Sequence, residues 1–155
     1  MKNESPVVLL VDDDPGDLLI ITDALEATGK SRAIHVARDG QEALDFLRRE
    51  GEHSAAPRPD MILLDLNMPR MDGREALAVI KADEQFRSIP VVVLTTSNAP
   101  EDIMISYRHH ANAFVTKPLE LTELMDAVRQ IDIFYTSVAQ LPPREPDGLT
   151  VQKVP

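Results

Sequence analysis

Three short, unbroken runs of apolar residues constrain the fold of this chain more than any other feature. They span residues 7–11, 61–64 and 91–94, and each is preceded by Pro or Asp. Apolar runs of this length, with no polar side, are typical of strands buried on both faces of a parallel sheet. Two weaker runs, at 33–36 and 113–115, predict two further strands nearer the edges.

The segments between these runs carry helix signals. Asp14 caps a helix that begins at Pro15, and three Asp or Asn residues are each followed three positions later by Glu: Asp39 and Glu42, Asp72 and Glu75, Asn98 and Glu101. The last helix has an apolar stripe made of Leu121, Leu124, Met125, Val128 and Ile131. Five strands alternating with five helices predict an α/β fold built on a doubly wound parallel sheet.

Composition limits the classes of partner and compartment. The net charge of −10 argues against nucleic acid or an anionic membrane as a partner, because such partners require a basic face. The absence of cysteine excludes disulfides and thiolate metal sites. The amino-terminal apolar run is too short for a signal peptide or a membrane span, so we expect a cytoplasmic protein. Residues 138–155 are rich in proline and predict a mobile tail after a single domain at 1–137.

Polar residues follow the strong strands at the point where each one ends. Asp12 and Asp13 follow the first run, Asp65 the third strand, Thr95 the fourth, and Lys117 the fifth. In a five-stranded sheet of order 2-1-3-4-5, the first and third strands are neighbours at the switch point where ligands bind. The sequence therefore predicts that these side chains converge.

The chemistry of this cluster favours a divalent cation and a phosphoryl group. Carboxylates a few ångströms apart repel one another unless a cation lies between them, and oxygen ligands in an open site favour Mg²⁺. An Asp carboxylate can attack phosphorus to form an acyl phosphate, and Lys117 offers a point charge for a phosphate oxygen.

The segments VDDDP at 11–15, LDLNMPRMDG at 64–73, LTTS at 94–97 and KP at 117–118 resemble the response regulator receiver domain. The resemblance runs from about residue 7 to about residue 133. It implies a flavodoxin-like and CheY-like fold in which Asp65 is the phosphoacceptor. It also implies that Asp13, Asp65 and the carbonyl group of Asn67 hold Mg²⁺ directly, while Asp12 acts through water.

The same resemblance implies a switch. Lys117 binds the phosphoryl group, the Lys117-Pro118 peptide is cis, and Thr95 and Phe114 form the pair that responds to phosphorylation. Such a domain accepts its phosphoryl group from a sensor histidine kinase and catalyses only its own phosphorylation and dephosphorylation. Its output surface comprises the fourth and fifth helices and the fifth strand.

Two further features resemble the small single-domain regulators of bacterial phytochrome histidine kinases. His109-His110 falls where many receivers have Gly, and the last helix continues beyond the length that a receiver requires. The extension adds Ile133, Phe134, Tyr135 and Val138, which the sheet cannot cover. Because apolar and aromatic surface of this kind usually marks a partner surface, we expect a homodimer there.

Other functions remain as alternatives. The protein could be a phosphate shuttle or adaptor in a phosphorelay, or a receiver-like adaptor that no longer takes phosphate; retention of Asp13, Asp65, Thr95 and Lys117 argues against the latter. An aspartyl-phosphate phosphohydrolase of the haloacid dehalogenase type needs a second Asp two residues after the nucleophile, where this chain has Asn67.

Overall fold

The computed structural model describes residues 5–29 and 32–144 of the chain. Its centre is a five-stranded sheet, and all of the strand pairs are parallel, in the order β2-β1-β3-β4-β5. The strands are β1 (Val7–Val11), β2 (Ala33–Ala37), β3 (Met61–Leu64), β4 (Val91–Thr95) and β5 (Ala113–Thr116). The predicted strand order is confirmed, and β2, β4 and β5 are each one residue longer than the apolar runs.

Helices connect the strands. They are α1 (Pro15–Glu26), α2 (Gly40–Arg48), α3 (Gly73–Ala82), α4 (Pro100–Arg108) and α5 (Leu121–Ile133). A short 3₁₀ turn, Gly51–His53, follows α2, and a π-helical segment, Phe134–Val138, continues α5. Within the described ranges, no helix is both long and apolar enough to cross a membrane.

The sheet has an apolar core on each face. One core contains Leu18, Ile21 and Leu25 of α1 with Leu124, Val128 and Ile131 of α5. The other core contains Leu44 and Leu47 of α2 with Leu77 and Ile80 of α3. Strands β1, β3 and β4 are buried along their whole length, as their unbroken apolar runs predict, and polar groups follow them at one edge of the sheet.

Four helix starts were predicted, and three are confirmed. Asp14, Asp39 and Asp72 each accept hydrogen bonds from backbone N–H groups in the first turns of α1, α2 and α3. The prediction of Asn98 as the cap of α4 is wrong, because that helix begins at Pro100 and its N-cap is Ala99. Proline at the first helical position fixes the start of α4.

The extension of α5 is anchored to the loop before β2. The Arg32 guanidinium donates to both carboxylate oxygens of Asp132 at 2.5 Å and to the hydroxyl of Thr136 at 3.0 Å. Thr136 Oγ1 also donates to the backbone carbonyl oxygen of Asp132 at 2.7 Å. Both charged side chains are buried, so this ion pair fixes the chain where α5 passes into the π-helical segment.

Several side chains of the last helix and its extension are exposed. Leu121, placed in the apolar stripe by sequence, is 53% exposed because it is the first residue of α5 and lies beyond the core. Ile133, Phe134 and Val138 are also exposed, whereas Tyr135 is partly buried and packs against the α1–α5 core. Three of the four residues expected at a dimer interface therefore expose apolar surface, and Tyr135 faces the core.

Two further expectations concern the backbone. The prediction of a cis Lys117-Pro118 peptide is wrong for this structure, in which no described peptide bond is cis. The trans form is intrinsically favoured before proline by roughly 0.5–1 kcal/mol. A mobile tail at 138–155 stays a prediction: residues 145–155 lie outside the described residues, and Arg144 forms an ion pair with Asp60 at 2.5 Å.

Candidate phosphoryl-acceptor and metal site

Neighbouring strands bring three carboxylates together. Val11, the last residue of β1, pairs with Leu64, the last residue of β3, so Asp12 and Asp65 leave the sheet side by side. The Asp65 N–H donates to the carbonyl oxygen of Val11 at 2.8 Å. Oxygen atoms of Asp12, Asp13 and Asp65 all lie within 4.8 Å of one another, which confirms the predicted convergence. Asp12 and Asp65 are buried, and Asp13 is exposed.

Lys117 lies in the middle of this acidic cluster. Its Nζ donates to Asp12 at 2.6 Å, to Asp17 at 2.8 Å and to Asp65 at 3.2 Å. Its backbone N–H donates to the carbonyl oxygen of Thr95 at 2.6 Å, which fixes the chain at the ends of β4 and β5. The ammonium group therefore neutralises part of the charge of the cluster.

Asp17 is a member of the site that the sequence analysis missed. It lies in the first turn of α1, where an acidic residue is usually explained by the helix dipole. Its place in the first turn of the helix that begins directly after Asp12 and Asp13 is the signal that could have identified it.

Burial and charge pairing shift the pKa values of two groups in the cluster. Burial raises the pKa of the Asp12 carboxyl above its ordinary value, although the hydrogen bond from Lys117 opposes that rise. Burial alone would lower the pKa of Lys117, but hydrogen bonds to Asp12 and Asp17 outweigh it and raise the pKa above its ordinary value. Lys117 is therefore a permanent cation at neutral pH.

Thr95 supplies a hydroxyl group at the end of β4. The residue is fully buried, and its Oγ1 has no hydrogen-bond partner in the described part of the chain. A buried hydroxyl without a partner is unfavourable by about 1–3 kcal/mol. The Thr95 hydroxyl can therefore still donate a hydrogen bond, as expected for a group that binds a ligand oxygen.

The oxygen donors fit a hard divalent cation such as Mg²⁺. Asp12, Asp13 and Asp65 offer only carboxylate oxygens, and their mutual distances allow one ion to contact all three. Asn67 is exposed in the loop after β3, and its backbone N–H lies 3.4 Å from Asp65 Oδ1. The backbone of Asn67 therefore lies beside the carboxylate cluster.

Phe114 lies on β5 and is partly buried against the α2–α3 core. Its backbone N–H donates to the hydroxyl of Tyr107 of α4 at 3.2 Å. Phe114 is therefore linked to α4 by this hydrogen bond.

His110 belongs to the His109-His110 pair that falls where many receivers have Gly. It adopts a left-handed conformation with φ 69°, which explains why Gly is favoured there.

A second charged cluster, which the sequence analysis also missed, borders the site. Arg74 of α3 binds both carboxylate oxygens of Asp102 of α4, at 2.8 and 2.9 Å. Arg74 also donates to the side-chain oxygen of Asn67 at 3.3 Å, and Ser97 Oγ donates to Asp102 at 2.6 Å. This set, called here the Arg74–Asp102 bridge, joins the loop after β3 to the loop after β4.

The family model of the response regulator receiver domain matches residues 8–129. This chain belongs to the response regulator receiver family. Response regulator Rcp1 of Synechocystis sp. is 41% identical over 141 residues, which cover 91% of this chain and 96% of that protein. A probable methanogenesis regulatory protein, FilR2 of Methanothrix harundinacea, is 41% identical over 137 residues, covering 87% of each chain.

Solved receiver structures agree with the fold. A crystal structure of the phosphorylated cyanobacterial phytochrome response regulator RcpA has a TM-score of 0.88 and 44% identity, and the alignment covers 90% of this chain and all of that one. The Mn²⁺-bound form of Rcp1 has a TM-score of 0.86 and 40% identity, over 89% of this chain and 99% of that one. This receiver is therefore similar over nearly its whole length to phytochrome response regulators, and its role is that of a phosphoacceptor.

Proposed function

We propose that Asp65 accepts the phosphoryl group in a Mg²⁺-dependent reaction. The observation that carries this proposal is the contact of Lys117 Nζ with both Asp12 and Asp65, beside the unpartnered hydroxyl of Thr95. An acceptor carboxylate, a cation and a hydroxyl donor thus belong to residues at the same end of the sheet. Asp13 and Asn67 complete the oxygen ligands that would hold the metal.

The transfer is a displacement at phosphorus. A carboxylate oxygen of Asp65 attacks the phosphorus of a phosphohistidine in the kinase, a P–O bond forms, the P–N bond breaks, and the leaving imidazole takes up a proton. Lys117 then pairs with a phosphoryl oxygen, and the hydroxyl of Thr95 donates to another. Mg²⁺ held by Asp13, Asp65 and Asn67 would supply positive charge to the phosphoryl oxygens. Hydrolysis by water restores the Asp65 carboxylate and releases inorganic phosphate.

The partner that we infer is a sensor histidine kinase of the phytochrome type. Support comes from the similarity to RcpA, which is described as a cyanobacterial phytochrome response regulator. The protein would act in the cytoplasm and catalyse only its own phosphorylation and dephosphorylation. Phosphohydrolase activity is disfavoured because Asn67, whose side chain accepts from Arg74, has no carboxylate to serve as a general acid.

The output surface that we propose consists of α4, β5 and α5. Movement of Thr95 and Phe114 on phosphorylation would alter this surface, which exposes Met104, Ile105 and Tyr107 on α4. Exposed Ile133, Phe134 and Val138, with Tyr135 partly buried beside them, support a homodimer through the extension of α5. A two-fold symmetric pairing is the commonest use of such a surface.

Phosphorylation of substituted proteins tests the acceptor assignment. Asp65→Asn should incorporate no phosphoryl group from acetyl phosphate in the presence of Mg²⁺, as measured by intact-protein mass spectrometry or Phos-tag electrophoresis. Asp14→Asn is the matched control, because Asp14 caps α1 and Asn serves equally well as a cap. Incorporation that persists in Asp65→Asn would show that another residue is the acceptor.

A further inference from the structure

The Arg74–Asp102 bridge joins the two loops that follow Asp65 and Thr95. Arg74 reaches Asn67, two residues after Asp65, and Asp102 reaches Ser97, two residues after Thr95. The pair between Arg74 and Asp102 is bidentate, with both N–O distances below 3 Å. Bidentate, charge-assisted ion pairs of this kind fix the relative orientation of the two side chains as well as their separation.

Each end of the bridge is itself held by a helix start. Asp72, the N-cap of α3, accepts from Arg74 at 3.3 Å and from the backbone N–H of Glu75 at 3.1 Å. Ser97 accepts from the backbone N–H of Ala99, the N-cap residue of α4, at 3.2 Å. The bridge thus ties the starts of α3 and α4 to the loops that border the acceptor.

We propose that Arg74 and Asp102 are positioning residues for metal binding, because their ion pair holds the Asn67 loop against the Ser97 loop beside Asp65. This inference rests on the proposed Mg²⁺ site. Asn67 lies at the end of the bridge, and its main chain is the ligand expected to complete that site. With the bridge broken, the Asn67 loop is no longer restrained in the orientation that presents its carbonyl oxygen.

Calorimetric titration of Mg²⁺ into the full-length protein tests the proposal. Arg74→Met and Asp102→Ala should each raise the Kd for Mg²⁺ about tenfold, the lower end of the effect of removing groups that orient metal ligands. The double variant should bind Mg²⁺ no more weakly than the weaker single variant, because both substitutions remove the same restraint.

The signs of the two effects separate positioning from simple electrostatics. Arg74→Met removes a positive charge and Asp102→Ala removes a negative one, so a pure field effect would shift the Kd in opposite directions. Shifts in opposite directions, or a Kd within about twofold of wild type in both variants, would overturn the proposal. Arg74→Lys keeps the positive charge but cannot make two parallel hydrogen bonds to Asp102. This variant should therefore also bind Mg²⁺ more weakly than wild type.

Two controls complete the design. Arg129→Gln removes an exposed ion pair of α5, with a 2.9 Å contact to Asp126, and should leave the Kd for Mg²⁺ unchanged.

Asp13→Asn should abolish most Mg²⁺ binding if the proposed metal site is right. Equal binding by Asp13→Asn and wild type would refute the metal site itself. A strong Asp13 effect without a bridge effect would refute only the positioning role. Melting curves without Mg²⁺ identify any variant that fails to fold; in that event Arg74→Lys decides the result.

Discussion

Gly73 approaches Asp65 so closely that a Cβ atom at position 73 would lie 2.0 Å from the Asp65 carbonyl oxygen. The same added atom would lie 2.8 Å from the α-carbon of Leu66. The Gly73 N–H donates to the carbonyl oxygen of Leu66 at 2.8 Å, so the first turn of α3 packs directly on the backbone that carries the acceptor. Both neighbours are backbone atoms, which cannot rotate away as a side chain can.

Gly73→Ala should therefore destabilise the protein by about 1–3 kcal/mol or more, the cost of overpacking against a rigid neighbour. The free energy of unfolding in urea is the measurement. Gly51→Ala is the control: its φ of 61° disfavours Ala, but a Cβ there meets no atom within 4 Å. If the two variants were equally stable, the close approach at Gly73 would not limit stability.

Lys117→Gln should lower the free energy of unfolding by about 3–5 kcal/mol, because it leaves the buried Asp12 carboxylate without its charged partner. Added Mg²⁺ should restore part of that loss, since a ligand of the native state stabilises it by mass action. Melting temperatures with and without millimolar Mg²⁺ are the measurement. Arg87→Gln, which removes an exposed 3.8 Å contact with Glu84, should change stability little. A Lys117→Gln protein as stable as wild type would contradict the central role of this ammonium group.

The stability of the fold should rise between pH 8 and pH 10.5 through Lys81. Its Nζ donates to the carbonyl oxygens of Arg87 and Ile89 and to the side chain of Asn112, and burial lowers the pKa of Lys81 from 10.5 to about 8. The unfolded chain keeps that proton up to the ordinary pKa. The unfolded state therefore binds more protons across this window, and the folded state gains stability as the pH rises.

Urea unfolding of wild type and Lys81→Met across this pH range measures the effect. The difference in unfolding free energy between the two proteins should shift in favour of wild type as the pH passes from 8 towards 10.5. A difference that stays constant with pH would show that Lys81 has the same pKa in both states.

Phe134→Asp should produce a monomer under conditions in which the wild type is a dimer. Phe134 is 50% exposed and makes an edge-on contact with Tyr135 at a ring separation of 5.0 Å. A carboxylate placed in an apolar interface loses its hydration without gaining a partner. Sedimentation of both proteins, with and without phosphorylation, is the measurement, and Leu19→Asp on α1 is an exposed control. If the wild type is monomeric at micromolar concentrations in both states, the homodimer proposal is wrong.

The strand order and the acidic cluster were predictable because they follow from local patterns. Each apolar run ends in a polar residue, and parallel strands bring those ends to one edge. Asp12, Asp65 and Lys117 are therefore together as expected. The Arg74–Asp102 bridge was not predictable in this way, because it joins two helices whose relative position depends on the packing of the whole sheet.

One local prediction failed for a physical reason. Asn98 is an acceptable cap by residue type, but Pro100 fixes the helix start so that Ala99 becomes the cap residue. The side chain of Ser97 accepts from the Ala99 N–H instead. The π-helical form of 134–138 also could not be foreseen, since Arg32, a hundred residues earlier than Asp132, holds both Asp132 before the segment and Thr136 within it.

The anchoring of the π-helical segment by Arg32 has an entropic consequence. The Ala139 N–H donates to the Phe134 carbonyl oxygen at 2.6 Å, and the buried contact between Arg32 and Asp132 holds the helix just before it. Ordering the backbone of a residue lowers its conformational freedom by about 1–2 kcal/mol at room temperature. These residues lose that freedom when the chain folds, so a molecule that packs on Phe134 and Val138 meets a preorganised surface and does not have to order it.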